Sequence, residues 1–289
     1  VDEPESRLKF HLLHLHVVVM NIGENTMTYA LEANLICKDF LRKNKPPVKA
    51  LKDVNLRIPK NTVYGLLGPN GSGKSTFIRI ASTLLIQDSG ELRILGKDVK
   101  THSNEVKWLI NRVSVEASFF RNLSAFENLL FSAGLYGVPR KQAIERIVEI
   151  SDRVGLDRKR LNERIRDYSR GMQQKVAIAR ALITQPPVLL LDEPTTGLDP
   201  RAKLEVQELI RVMRENMDVT IVLTTHDMAE AEKLCDKVAI IHNGKVVVDG
   251  YPEYLMQQLP ESKKKSTFED VFLHFTGVDF SEAEMEVSA

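Results

Sequence analysis

The chain has 289 residues, 43 % of them hydrophobic, which is enough for one large α/β domain with a subdomain or for two small domains. Its 40 Lys and Arg against 39 Asp and Glu leave a net charge of +1, so bulk electrostatics give no grip on nucleic acid or on an anionic membrane surface. Two cysteines make no disulfide framework and suit a reducing cytosol, and no apolar run reaches the roughly 18–20 residues of a membrane span, so a membrane role has to come through a partner.

Residues 1–30 read as an extension without clear period. The apolar run at 10–20 is short and holds His11, His14 and His16, with no Cys or carboxylate partner at zinc-site spacing and no signal-peptide cleavage site. From Leu31, the residues Ala33, Leu35 and Cys37 alternate with polar neighbours, predicting a strand that ends near Phe40. Residues 42–47 are basic and Pro-containing and read as a loop; Leu51, Val54, Leu56 and Ile58 predict a second strand. Pro59-Lys60-Asn61 then turns the chain into an apolar third strand over 63–67.

The next residues, Gly68-Pro69-Asn70-Gly71-Ser72-Gly73-Lys74-Ser75-Thr76, match G-x-x-x-x-G-K-[ST]. Phe77, Ile78, Ile80, Ala81, Leu84 and Leu85 follow at helical spacing, so the pattern sits between a strand and a helix, where a phosphate-binding loop belongs. Its glycines let backbone N–H groups turn toward phosphate oxygens, and the helix N-terminus points its positive end at the same anion. Lys74 is expected to reach the β- and γ-phosphates and the Ser75 hydroxyl to hold Mg²⁺. The bland alternative is a glycine-rich turn that binds nothing.

Residues 86–100 continue as strands and turns punctuated by Gly90 and Gly96, and residues 105–182 read as largely helical. Ser124 is a plausible N-cap for a helix over 125–136, and Gly137-Val138-Pro139 breaks it. A second amphipathic helix over 140–154 puts Ile144, Ile147, Val148 and Ile150 on one face. Val188 to Leu191 are apolar in a row, as in a parallel strand buried on both faces, and the run ends in Asp192-Glu193. Asp199 and Pro200 open a long helix, a buried strand over 219–223 ends in Thr224-Thr225-His226, and Asp227 caps a short helix. Asn243-Gly244 predicts a hairpin over 237–249. The lysine run 263–265 reads as a solvated surface, with contact to lipid head groups as the alternative.

Ligands of parallel sheets bind beyond the carboxyl ends of the strands, and three such ends carry polar groups here: the phosphate loop, Asp192-Glu193 and His226. Asp192 suits the Mg²⁺ of a bound nucleotide, and Glu193 can take a proton from a water attacking the γ-phosphate.

With these residues in place, residues 31–250 resemble the ATP-binding subunits of ABC transporters through six ordered motifs. Residues 68–76 resemble the Walker A loop, 188–193 Walker B with its catalytic Glu, and Tyr168-Ser169-Arg170-Gly171-Met172-Gln173-Gln174 the signature that sets the family apart. Thr196-Gly197-Leu198-Asp199 resembles the D-loop, His226 stands at the switch histidine, and Phe40 at the aromatic that stacks on adenine. The resemblance implies an α/β fold: a P-loop NTPase (RecA-like) core, an N-terminal antiparallel β subdomain and an inserted α-helical subdomain at about 105–182. Residues 1–30 would then be an extension, 31–250 the ATPase domain and 251–289 a tail.

It further implies ATP and Mg²⁺ as ligands, with Ser75, Asp192 and Glu116 on the metal and Glu193, His226 and Glu116 in catalysis. Phe40, residues 68–76 (Gly68, Pro69, Asn70, Gly71, Ser72, Gly73, Lys74, Ser75, Thr76), Ser169, Gly171 and Asp199 would contact nucleotide. Two cassettes would pair head to tail, the signature of one closing over the ATP of the other, beside permease subunits at the cytoplasmic face of the membrane. Three positions depart from the family: Tyr168 and Arg170 stand in the signature where leucine and glycine are usual, and Glu116 stands where a glutamine is usual, which resembles the E-loop of lantibiotic-immunity transporters. Residues 267–277 are similar to the ending of daunorubicin-resistance ATPases, which points to export. The alternatives are a soluble ABC ATPase acting on nucleic acid or ribosomes, or a weakly hydrolysing nucleotide switch. Against the former, the interval from Lys74 to Ser169 leaves no room for a long coiled coil, and the chain holds one cassette.

Overall fold

The computed structural model describes residues 29–43, 45–115, 118–259, 267–280 and 283. The histidines of the N-terminal stretch, Glu116 and the lysine run 263–265 lie outside the described residues.

Strands β1 (Tyr29–Arg42) and β2 (Lys45–Pro59) form a long antiparallel hairpin, which β4 (Ser89–Ile94) and β5 (Lys97–Asp98) extend into a four-stranded sheet in the order β2-β1-β4-β5. Pro46 and Pro47, expected in a loop, lie within β2. An edge strand tolerates them because its outer N–H groups have no ladder to serve.

The second sheet has six strands in the order β10-β9-β3-β8-β7-β6. β3 (Val63–Leu67), β6 (Ile110–Val113), β7 (Val188–Asp192), β8 (Thr220–Thr225) and β9 (Lys237–His242) run parallel, and β10 (Lys245–Gly250) closes a hairpin on β9. The apolar strand runs make sense against the two cores they divide. Val63, Leu67, Leu189, Leu191, Ile221, Leu223, Val238 and Ile240 point into one core, while Tyr64, Leu66, Val188, Leu190, Val222, Ala239 and Ile241 point into the other. Side chains alternate along a strand, so burying both faces requires an unbroken apolar run.

The first of these cores is shared with helices α3 (Ala125–Leu135), α4 (Arg140–Arg153), α5 (Arg170–Leu182) and α6 (Pro200–Asn216); the second lies beneath the antiparallel sheet and α1 (Lys74–Ala81). Ser124 caps α3 with a full capping box to Glu127. On α4, Ile147 and Ile150 are buried, but Ile144 faces solvent and Ala143 takes its expected place. Residues 105–113, expected to be helical, divide between α2 (Ser103–Leu109) and β6, which joins the main sheet beside β7. Four residues are too few for an alternation to register, so only the pairing with β7 reveals the strand. The remaining helices are α7 (Met228–Leu234), α8 (Pro252–Gln257) and α9 (Phe268–Thr276). Phe268, Val271 and Phe272 of α9 are buried in the first core.

Candidate functional site

The phosphate-loop motif spans the end of β3 and the start of α1, as its spacing predicts. Gly68 and Gly73 hold φ of 150° and 114°, and a Cβ on either would stand 2.1 Å from the Ile241 carbonyl oxygen or 2.5 Å from that of Ala50. Only glycine lets the loop close so tightly on its flanking strands. Lys74, the first residue of α1, is 3 % exposed. Its ammonium donates to the carbonyls of Gly68 at 2.7 Å and Pro69 at 3.0 Å, and lies 3.6 Å from Glu193 Oε1. The Ser72 hydroxyl is buried without a hydrogen-bond partner, an orphan polar atom inside the loop.

Asp192 ends β7 at 2 % exposure. Its Oδ1 accepts from the Ser75 hydroxyl at 3.0 Å and from Thr224 at 2.8 Å, and its Oδ2 accepts from Arg112 at 2.8 Å. Glu193 follows in the left-handed region at φ 48°, a strained turn held by its own N–H, which reaches the Thr224 carbonyl and hydroxyl. That turn sends its carboxylate back toward the phosphate loop. Oε2 accepts from the Thr196 hydroxyl at 2.9 Å and lies 3.3 Å from His226 Nδ1, just past β8. Burial by itself would raise the Glu193 pKa. The hydrogen bond from His226, the charge of Lys74 and the Thr196 hydroxyl outweigh it and hold the pKa at about 2. Lys74 and His226 thus both meet the Glu193 carboxylate, and Ser75 meets that of the adjacent Asp192.

The signature residues form a second group. Ser169 caps α5 through the Met172 N–H at 3.3 Å, and its exposed Arg170 neighbour donates to the Gly197 carbonyl at 3.2 Å. Gly171 is there for packing: a Cβ would meet the Ala202 Cβ at 2.5 Å, so α5 and α6 could not come so close. Asp199, expected at nucleotide, caps α6 through the Ala202 N–H at 3.0 Å. A cleft of about 630 Å³ beside this group is lined by Arg121, Arg170, Gln173, Gln174, Thr196 and Gly197 among others. The loop from Glu193 to Asp199 joins the two groups, since Thr196 bonds the Glu193 carboxylate and Gly197 accepts from Arg170 on the signature side. Phe40 is half-buried on β1, one strand from the phosphate loop, with the Lys38 ammonium 5.9 Å from its ring centre.

Two contributors escaped the sequence reading. Thr224 holds both Asp192 and the Glu193 N–H, and the signal available was a polar residue ending an apolar strand beside the Asp192 strand. Arg112 has no such signal, because its approach to Asp192 depends on β6 lying beside β7. The residues fit the groups expected of them. The buried ammonium, the orphan Ser72 hydroxyl and the helix N-terminus suit a triphosphate, and the adjacent Ser75 and Asp192 oxygens are the hard donors that suit Mg²⁺. Among the described residues there is no group of three or more His, Cys, Asp or Glu that could hold a metal ion.

Residues 51–196 match the family model described as ABC transporter. The chain is 37 % identical over 241 residues to the ABC transporter ATP-binding protein NatA of Bacillus subtilis, covering 82 % of this chain and 94 % of that one. It is 39 % identical over 202 residues to the daunorubicin/doxorubicin resistance ATP-binding protein DrrA of Streptomyces peucetius, covering 70 % of this chain and 61 % of the relative. Among solved structures, the dimeric post-hydrolysis ATP-binding cassette MJ0796 bound to ADP and Pi superposes with a TM-score of 0.68 at 27 % identity, over 77 % of this chain and 98 % of that one.

Proposed function

This chain belongs to the family of ABC transporter ATP-binding subunits, which are ATPases, and from that premise we propose how its residues divide the work and that the transporter it drives is an exporter. The observation that carries the reading is the convergence of Lys74, Ser75, Asp192, Glu193 and His226 at the ends of β3, β7 and β8.

In this reading the loop N–H groups and Lys74 bind the β- and γ-phosphates, and Phe40 stacks on adenine. Ser75 and Asp192 would hold Mg²⁺, joined by Glu116. When bound, that ion neutralises charge on the phosphate oxygens. Glu193 accepts the proton of the attacking water, and His226 steadies the γ-phosphate. The contacts that keep Glu193 ionised also make it a weak base at a pKa of about 2. Once Lys74 turns to phosphate, one of those contacts is lost and the basicity of Glu193 rises.

Ser169 and Gly171 would complete the site of a second cassette paired head to tail. The permease would dock on exposed apolar side chains. Trp108, Phe120, Phe131 and Leu135 are each about half exposed or more, with Phe120 on Phe131 and Trp108 on Tyr136 in edge-to-face contact. Of these, Trp108 and Leu135 line a groove of about 500 Å³ together with Tyr136. No helix among the described residues is long and apolar enough to cross a membrane; in this reading the chain meets the cytoplasmic face of the membrane through the permease. The resistance relative supports export over import, in line with the resemblance of residues 267–277 to the ending of such ATPases. The transport names among the relatives favour this reading over an ATPase acting on nucleic acid.

The test is steady-state ATP hydrolysis by the purified chain beside Glu193→Gln. Turnover is expected to fall by roughly 10²–10⁴-fold while an ATP-dependent dimer accumulates. A variant that hydrolyses at the wild-type rate would remove Glu193 from the reaction.

A further inference from the structure

Arg112 stands where nothing in the ATPase chemistry calls for a cation. It is carried on β6, the edge strand, opposite Leu190 of β7. Its Nη2 donates to Asp192 Oδ2 at 2.8 Å, and the carboxylate it meets is 3 % exposed. The other oxygen, Oδ1, is already shared by the Ser75 and Thr224 hydroxyls. Both oxygens of the carboxylate read as the metal ligand are therefore engaged, one of them by a full positive charge.

The guanidinium is poorly anchored elsewhere. Its Nε is buried without a hydrogen-bond partner, and the side chain lines the groove that also holds Leu84, Trp108, Asn111, Leu135 and Tyr136. The neighbouring Asn111, by contrast, is locked by Ala181, Thr184 and Tyr136. So Arg112 has one strong partner on the nucleotide side and open space on the groove side. A buried carboxylate needs a counter-charge, and two cations a few ångström apart on one carboxylate repel.

We propose that Arg112 is a positioning residue that stands in for the metal. In the nucleotide-free chain it neutralises Asp192, and loading the metal site displaces it into the groove. The inference rests on Asp192 being the metal ligand. It makes Arg112 a competitor that weakens magnesium binding and keeps Asp192 in place when the site is empty. It also links metal loading to whatever fills the groove.

The experiment titrates Mg²⁺ against the binding of a fluorescent ATP analogue to the full chain, wild type beside Arg112→Gln, Arg112→Met and Arg112→Lys. Removing the charge is expected to lower the magnesium midpoint about tenfold, and Lys is expected to keep it near wild type. Mg²⁺ without nucleotide is expected to raise the melting temperature of Arg112→Gln and leave that of the wild type unchanged, which a purely structural role would not produce. Arg112→Met keeps the apolar stem and carries the same expectation if the Gln variant does not fold. Magnesium-dependent binding with equal midpoints in wild type and charge-free variants would overturn the role of Arg112 alone. Nucleotide binding indifferent to magnesium in every protein would overturn the reading of Asp192 and this inference with it.

Discussion

The nucleotide side and the signature side are built from the same kinds of residue but differ in completeness. On the nucleotide side, the side chains of Lys74, Asp192 and Glu193 are 3 %, 3 % and 11 % exposed, and each is held by partners from separate strands or loops. On the signature side, Ser169 bonds only its own helix, Asp199 caps its own helix, and Arg170 reaches out to a single carbonyl. Strand ends in a buried parallel sheet arrive together, so one chain can close a cluster around them. A helix N-terminus on the surface has donors to offer and no wall opposite it. That difference fits a site whose second wall comes from a second cassette, as in the proposed head-to-tail pair.

Three changes would sharpen or break this contrast. The largest effect is expected from Lys74→Ala. It removes the one buried ammonium of the nucleotide cluster and should weaken ATP binding by about 100-fold, read by calorimetry. An affinity within a few-fold of wild type would mean that the cluster is not the phosphate site. Next comes Gly171→Ala, whose Cβ would press on that of Ala202 at 2.5 Å. Overpacking of this kind costs about 1–3 kcal/mol, measurable by urea unfolding. ATP affinity of the single chain should hold while ATP-driven dimerisation is lost, and a matching loss of affinity would erase the distinction between the two sides.

The smallest effect concerns acid. Glu193 has its pKa lowered from 4.5 to about 2 in the folded chain. A lowered carboxylate pKa stabilises the fold fully above the unfolded value, and this contribution disappears as pH falls from 4.5 toward 2. In the nucleotide-free protein, Glu193→Gln should therefore flatten the acid limb of melting temperature against pH and leave the shape near neutrality unchanged. Identical acid limbs would show that the carboxylate is not held by Lys74 and His226.

Much of this was legible in order along the chain. The phosphate loop could be placed because glycine spacing and a strand-to-helix change are local, and the buried strands because their apolar runs are. Asp192, Glu193 and His226 could be nominated because each ends such a run. Less legible were the edges. β6 is a four-residue strand in a stretch that reads as helix, and the prolines of β2 read as a loop until the strand proves to be an outermost one. Arg170 looked like a defect in the signature, yet it ties the signature helix to the Gly197 carbonyl.

By itself the amino-acid sequence determined the kind of chemistry and the elements that carry it, because glycine turns, helix caps and apolar strands are settled by neighbours within a few residues. Only the tertiary structure decided which charges meet. That Arg112 sits on Asp192, that Thr224 braces the Asp192 carboxylate and the Glu193 backbone N–H, and that α5 and α6 touch at Gly171 all follow from strand order and helix packing. Those contacts join residues far apart in the chain, and no local pattern records the distance between them once the sheet has formed.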